Sequence, residues 1–140
     1  TIDENQTAML SFRSGGKVLY GIIGVGYNFK NTDEVYAFEA GLGAHFFDSR
    51  SFRLNTEITS SMLESFKEGE YMKASLRVMP ALKLAPFLEI FAGPSLNFVS
   101  TNTTEGIALT KKTIKEWPGD WDDDFRALYL GYTGGLHILF

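Results

Sequence analysis

Three carboxylates, Glu39, Glu57 and Glu89, and two histidines, His45 and His137, are the side chains with the most chemistry to offer in this sequence. Two carboxyl groups held close together can act as acid and base, or as acid and nucleophile. Here, however, two of the three carboxylates have a cation at strand-like spacing. Glu57 and Arg77 lie at similar heights of one hairpin, and Lys83 and Glu89 flank the turn Ala85-Pro86. Salt bridging accounts for them better than catalysis. The histidines have no Gly-x-Ser-x-Gly partner to activate and no carboxylate motif to complete a metal centre. Gly24-Val25-Gly26 lacks the third glycine and the following helix of a dinucleotide loop. Asp120, Asp122 and Asp124 alternate as calcium ligands do, but the Gly and the distal Glu of an EF-hand are absent. With no Cys in the chain, thiolate ligands, disulfides and a Cys nucleophile are excluded. The expectation is a non-enzymatic protein with no cofactor and no metal.

The elements that carry these residues read as strands. The 140 residues make one domain, residues 1–140, and the 13 Lys+Arg against 17 Asp+Glu argue against a nucleic-acid partner. The stretch Thr1-Ile2-Asp3-Glu4-Asn5 has neither the basic nor the apolar region of a signal peptide, and no apolar run is long enough for a transmembrane helix. Alternation with period two runs through 7–13, 17–29, 35–47, 51–62, 71–84, 87–100 and 125–140. In 71–84, Met72, Ala74, Leu76, Val78, Leu82 and Leu84 share one face while Lys73, Ser75, Arg77 and Lys83 share the other. Seven such strands predict an all-β antiparallel meander, closing into a barrel of about eight strands that leaves no edge exposed. Short turns at 14–16, 48–50 and 85–86 fall at one end, and long polar links at 30–34, 63–70 and 101–124 at the other.

Alternation alone does not say which face is inside. A soluble lipocalin-like barrel holds its apolar face inside around a small apolar ligand; an outer-membrane barrel turns it to lipid. Most strand glycines (Gly24, Gly26, Gly41, Gly43, Gly93, Gly131, Gly135) share the polar parity, as a crowded interior requires. On the apolar parity, Phe12, Phe46, Phe52 and Phe140 gather near the short turns, and Tyr27, Phe29, Tyr36, Phe38 and Phe98 near the long links, with aliphatic residues between. Two aromatic belts around an aliphatic band match the two interfaces of a bilayer. On that reading Glu39, Arg53, Glu57, Lys73, Arg77, Lys83 and Glu89 form a lumenal charge network, and they must pair because unpaired buried charge is costly. The network plugs the lumen more readily than it lines a narrow passive pore.

Two segments extend the reading to a family. Pro86-Phe87-Leu88-Glu89-Ile90-Phe91-Ala92-Gly93-Pro94-Ser95-Leu96-Asn97-Phe98 resembles a hairpin strand of the small outer-membrane barrels common in Bacteroidota, the porin-family or PorT-like domain. The alternation Tyr132, Leu136, Ile138, Phe140, ending on an aromatic residue, resembles the C-terminal strand signature read by the barrel-insertion machinery. Together they cover about a sixth of the chain. The resemblance implies the outer membrane of a Gram-negative bacterium, a lipid bilayer as surroundings and no single activity.

Seven strands is an odd number, whereas single-chain bacterial barrels have an even one. An N-terminal strand is therefore missing, or residues 1–6 belong to it, or another chain completes the wall. Pro80 and Pro94 fall inside strands, where each removes a ladder hydrogen bond, so irregular pairing is expected there. The link 101–124 is long enough to be functional. Its Trp117, Asp120, Trp121, Asp122 and Asp124 fit an extracellular contact surface for protein partners in an outer-membrane complex, or an anchor at the lipid headgroups.

Overall fold

A computed structural model of the chain describes residues 2–3, 7–16, 18–28, 35–65, 69–101, 113–118 and 125–138. Nine strands among them form one sheet: β1 (Ile2–Asp3), β2 (Thr7–Gly15), β3 (Leu19–Asn28), β4 (Val35–Asp48), β5 (Phe52–Ser65), β6 (Gly69–Ala85), β7 (Leu88–Thr101), β8 (Thr113–Pro118) and β9 (Phe125–Ile138). All pairings are antiparallel, in the order β1-β2-β3-β4-β5-β6-β7-β9-β8. The seven expected strands are β2 to β7 and β9. Two short ones lie outside those seven: β1, within the residues 1–6 that the odd strand count left open to an N-terminal strand, and β8, which occupies part of the link read as loop. β1 is too short to display alternation, and the Thr-Ile-Lys-Glu-Trp-Pro of β8 does not alternate.

Alternation fixes register, because a slip of one residue would exchange the two faces. One row across the wall runs Gly21, Leu42, Ile58, Leu76, Leu96, Leu130 through successive pairings. The next row runs Tyr20, Gly43, Glu57, Arg77, Ser95, Gly131. Leu42, Ile58 and Leu130 are 71%, 65% and 59% exposed, whereas Glu57 and Glu89 have 0% exposure. The polar parity is therefore the covered face and the apolar parity the outer one. A few apolar residues fill the covered face between the charges: Met79, Ala81 and Phe91 pack together, with Ile22, Val99 and Tyr129 buried elsewhere on it.

The covered face is tightly filled, which explains its glycines. A Cβ on Gly43 would enter the Tyr20 ring, and one on Gly93 would run into the carbonyl oxygen of Val78. On the outer parity, a Cβ at Gly21 or Gly134 would meet only ordinary contacts of 3.7 and 3.4 Å.

Irregularities coincide with local sequence. The β4–β5 register shifts between His45 and Phe47, so Phe46 and Phe47 both turn outward, and Phe47 packs against Phe52 at 6.0 Å. The β6–β7 ladder stops at Arg77↔Ser95 and resumes at Ala81↔Phe91 with no change of register. Pro80 and Pro94 lie within that gap, as their missing N–H groups require. Ser49 closes the β4–β5 turn: its N–H and its Oγ both donate to the Phe52 carbonyl, at 2.8 and 3.0 Å.

Candidate functional site

Apart from Lys73, the buried charges of the described residues form two groups on the covered face. In the first, Glu57 of β5 is the hub. Arg13 of β2 donates to it through Nε at 2.8 Å and Nη2 at 3.4 Å, and Tyr20 of β3 donates its hydroxyl at 2.9 Å. Arg77 of β6 lies 3.8 Å from Glu57 through Nη1, and its Nη2 donates to Glu39 of β4 at 2.5 Å. Ser11 of β2 donates to the other Glu39 oxygen at 3.4 Å. These bonds link β2 to β4 and β5, so the sheet curls far enough for non-neighbouring strands to meet across its concave side.

The second group lies toward the short turns. Arg53 of β5 bridges Glu89 of β7 at 3.0 Å and Asp48 at 3.1 Å. Lys83 of β6 joins Asp48 and also donates to the Ser49 carbonyl at 2.9 Å. Those two bonds from Lys83 and Arg53, the Lys83 one foremost, hold the Asp48 carboxyl below the usual carboxylate range. His137 of β9 stacks on Phe91 at 4.2 Å, with Nδ1 3.5 Å from Glu89. His45 stacks on Tyr20 at 4.6 Å, and its Nδ1 is 2.6 Å from the side-chain oxygen of Asn55.

All seven residues expected to form the network are on the covered face. Glu39, Glu57, Lys73, Arg77 and Glu89 are buried, and the Arg53 and Lys83 side chains are 14% and 20% exposed. The pairing differs from the hairpin expectation. Lys83 and Glu89 are register partners, yet Lys83 bonds Asp48 and Glu89 is taken by Arg53. Arg77 is opposite Glu57 but makes its shorter bond to Glu39. Register predicts which residues face each other along a hairpin; curvature brings residues from strands further away into competition. Arg13, Tyr20 and Asp48 were missed as network members. Arg13 was readable by its parity with Ser11, whereas Asp48, at a strand end, gave no such signal.

Tyr132, Leu136 and Ile138 project from the outer face of β9, and Phe140 lies outside the described residues. Of the contact-loop residues, Trp117 belongs to β8 and is in register with Arg126, while Asp120, Trp121, Asp122 and Asp124 lie outside the described residues. Among the described residues no group of three or more His, Asp or Glu is placed to hold a metal ion. No family model, curated protein or solved structure matches the chain. The likeness to the PorT-like barrels therefore rests on the two quoted segments alone.

Proposed function

We propose that the chain is the wall of a small transmembrane β-barrel in the outer membrane of a Gram-negative bacterium, closing between β9 and β2, with a structural or accessory role and no enzymatic activity. One observation carries this reading: the polarity is inverted relative to a water-soluble protein. The aliphatic row Leu42, Ile58, Leu76, Leu96, Leu130 is on the outside, and Glu39, Glu57, Lys73, Arg77 and Glu89 are buried behind it. In water such a wall would expose far more contiguous apolar surface than the few hundred Å² that soluble monomers carry. In lipid it meets its own kind. The aromatic residues support the same reading: Phe12, Phe46, Phe47 and Phe87 are exposed toward the short turns, and Tyr27, Tyr36, Phe38 and Phe98 toward the other end. Strands of 14 residues exceed the roughly 9–11 that a tilted strand needs to cross the hydrocarbon.

The same inversion weighs against a soluble barrel holding an apolar ligand, since the covered face offers that ligand arginine and glutamate. Ion pairs reaching across the concave side weigh against a passive pore. Partners on this reading are the bilayer, the insertion machinery that recognises the last strand, and outer-membrane proteins that meet the wall or the 101–124 segment. Extraction with and without detergent, followed by gel mobility with and without boiling, tests the proposal. Detergent dependence with a heat-induced shift is expected, and planar bilayers should show no stable conductance. A monomer soluble without detergent would overturn the membrane reading; discrete conductance steps would replace the plugged wall with a pore.

A further inference from the structure

On the outer face the side chains shrink where β7 meets β9. Ala92 is in register with Gly134, and Pro94 with Tyr132. Larger neighbours project outward along both strands: Ile90 and Leu136 toward the short turns, Leu96 and Leu130 toward the other end. Between them is an apolar depression of about 650 Å³ whose lining includes Ala92, Gly93, Pro94, Tyr132 and Gly134, with Ile2 of β1 at one end. It lies near the middle of β7 and β9, each 14 residues long. The break in the β6–β7 ladder, between Ser95 and Phe91, is at the same level. Pro94 belongs to both features, and its ring fixes its backbone angle φ. Gly93 beside it has no side chain, and β6 approaches so closely there that a Cβ would run into the Val78 carbonyl oxygen. The depression is thus set in stiff, closely packed backbone.

We propose that this depression is a binding site for one acyl chain of a membrane lipid. The inference rests on the barrel reading above, which puts the middle of β7 and β9 in hydrocarbon. The dimensions select the occupant. Leu136 and Tyr132, the outward side chains on either side of Gly134, are four residues apart, about 13 Å along the strand. Both side chains take part of that width, and the slot left between them is narrower than an α-helix, which is about 10–12 Å across. A second copy of the chain would meet the slot wall to wall. Sheets packed face to face stay about 10 Å apart, so two convex walls would bridge the slot without filling it. A single hydrocarbon chain is thin enough to lie in it. Ile2, Ala92, Pro94 and Gly134 offer that chain an apolar bed, continuous with the outer aliphatic row of Leu76, Leu96 and Leu130. In the slot a chain is touched on its floor and both flanks, whereas over the level row it is touched on one side only, and dispersion contacts add up. A stiff, preformed slot also costs little ordering when it is filled.

The test folds the chain into phosphatidylcholine vesicles containing a trace of the same lipid with a photoactivatable group halfway along one acyl chain. After illumination, adducts are mapped by peptide mass spectrometry. Adducts at Ala92–Pro94 and Tyr132–Gly134 are expected at least tenfold above those at Leu42 and Ile58, which stand on the level part of the outer face. Ala92→Leu fills the slot and should bring its adducts down to that background. Ala74→Leu, the same change at an exposed position of β6 outside the depression, should leave them unchanged. Where Ala92→Leu fails to fold, Gly134→Ala replaces it: its new methyl meets only ordinary contacts on the protein side, and at least a threefold reduction is expected. Even labelling around the wall, adducts that survive the filling variant, or equal loss in Ala74→Leu would each overturn the proposal. A dimer band in unboiled samples that the filling variant removes would give the slot to a second copy and overturn it as well. The boiled and unboiled gel run on the same samples separates the two readings. A retained heat shift with even labelling removes the acyl-chain site alone, and solubility without detergent removes the membrane barrel beneath it.

Discussion

Replacing Glu57 by Ala removes the hub of the buried network, and its cost can be worked from the partners left behind. Arg13 loses both of its bonds, Tyr20 loses the acceptor of its hydroxyl, and Arg77 loses its longer contact but keeps Glu39 at 2.5 Å. Breaking a buried pair by deleting one partner costs about 3–5 kcal/mol, and an orphaned buried hydroxyl about 1–3 kcal/mol. The losses share one carboxylate and do not add. Arg77 has a second partner and the Arg13 side chain is 19% exposed, so both cations relax in part. The expected loss is about 4 kcal/mol. Glu57→Gln keeps an acceptor for Tyr20 and should cost about half as much. Replacing Arg13 and Glu57 together by Met leaves no orphaned charge between them and should recover much of the loss. Urea titration of the chain in lipid vesicles, read by tryptophan fluorescence and gel mobility, measures all three. A loss for Glu57→Ala under about 1 kcal/mol, the worth of a solvated ion pair, would mean that the carboxylate is in contact with water and that the concave side is open.

Leu42→Arg puts a charge in the middle of the outer aliphatic row and should cost about 2–4 kcal/mol in vesicles; unchanged folding there would remove lipid from that face. Gly93→Ala should destabilise by about 1–3 kcal/mol, because the new methyl meets the rigid Val78 carbonyl, whereas Gly134→Ala should be close to neutral. Equal denaturation midpoints for those two variants would refute the crowding of the covered face. Asp48 gives a pH dependence. Its folded carboxyl is held below the ordinary value of 3.8 by Lys83 and Arg53, so its stabilisation is full above that value and disappears as pH falls through the lower, folded one. The effect is small because the Asp48 side chain is 45% exposed. Unfolding midpoints from pH 5 down to about pH 2 should fall more steeply for the parent than for Asp48→Asn, and parallel curves would contradict the pairing.

The pattern of faces is written in the chain itself. Alternation of Leu and Ile with Glu, Arg, Ser and Gly has period two, the period of the pleat, so strand identity, face and register follow with no knowledge of the remainder of the chain. That is why Ile58 and Glu57 were assigned to opposite faces, and why Pro80 and Pro94 announced a broken ladder. Two kinds of fact required the folded molecule. The partner of each charge depends on how far the sheet curls, which is a sum of small twists over many strands: Lys83 chose Asp48 over Glu89, and Arg77 favoured Glu39 over Glu57. The seam depends on contacts between the first and last strands, more than 120 residues apart along the chain. Two residues, Ile2 and Asp3, are too few to show a period, and only their neighbours on either side make them a strand.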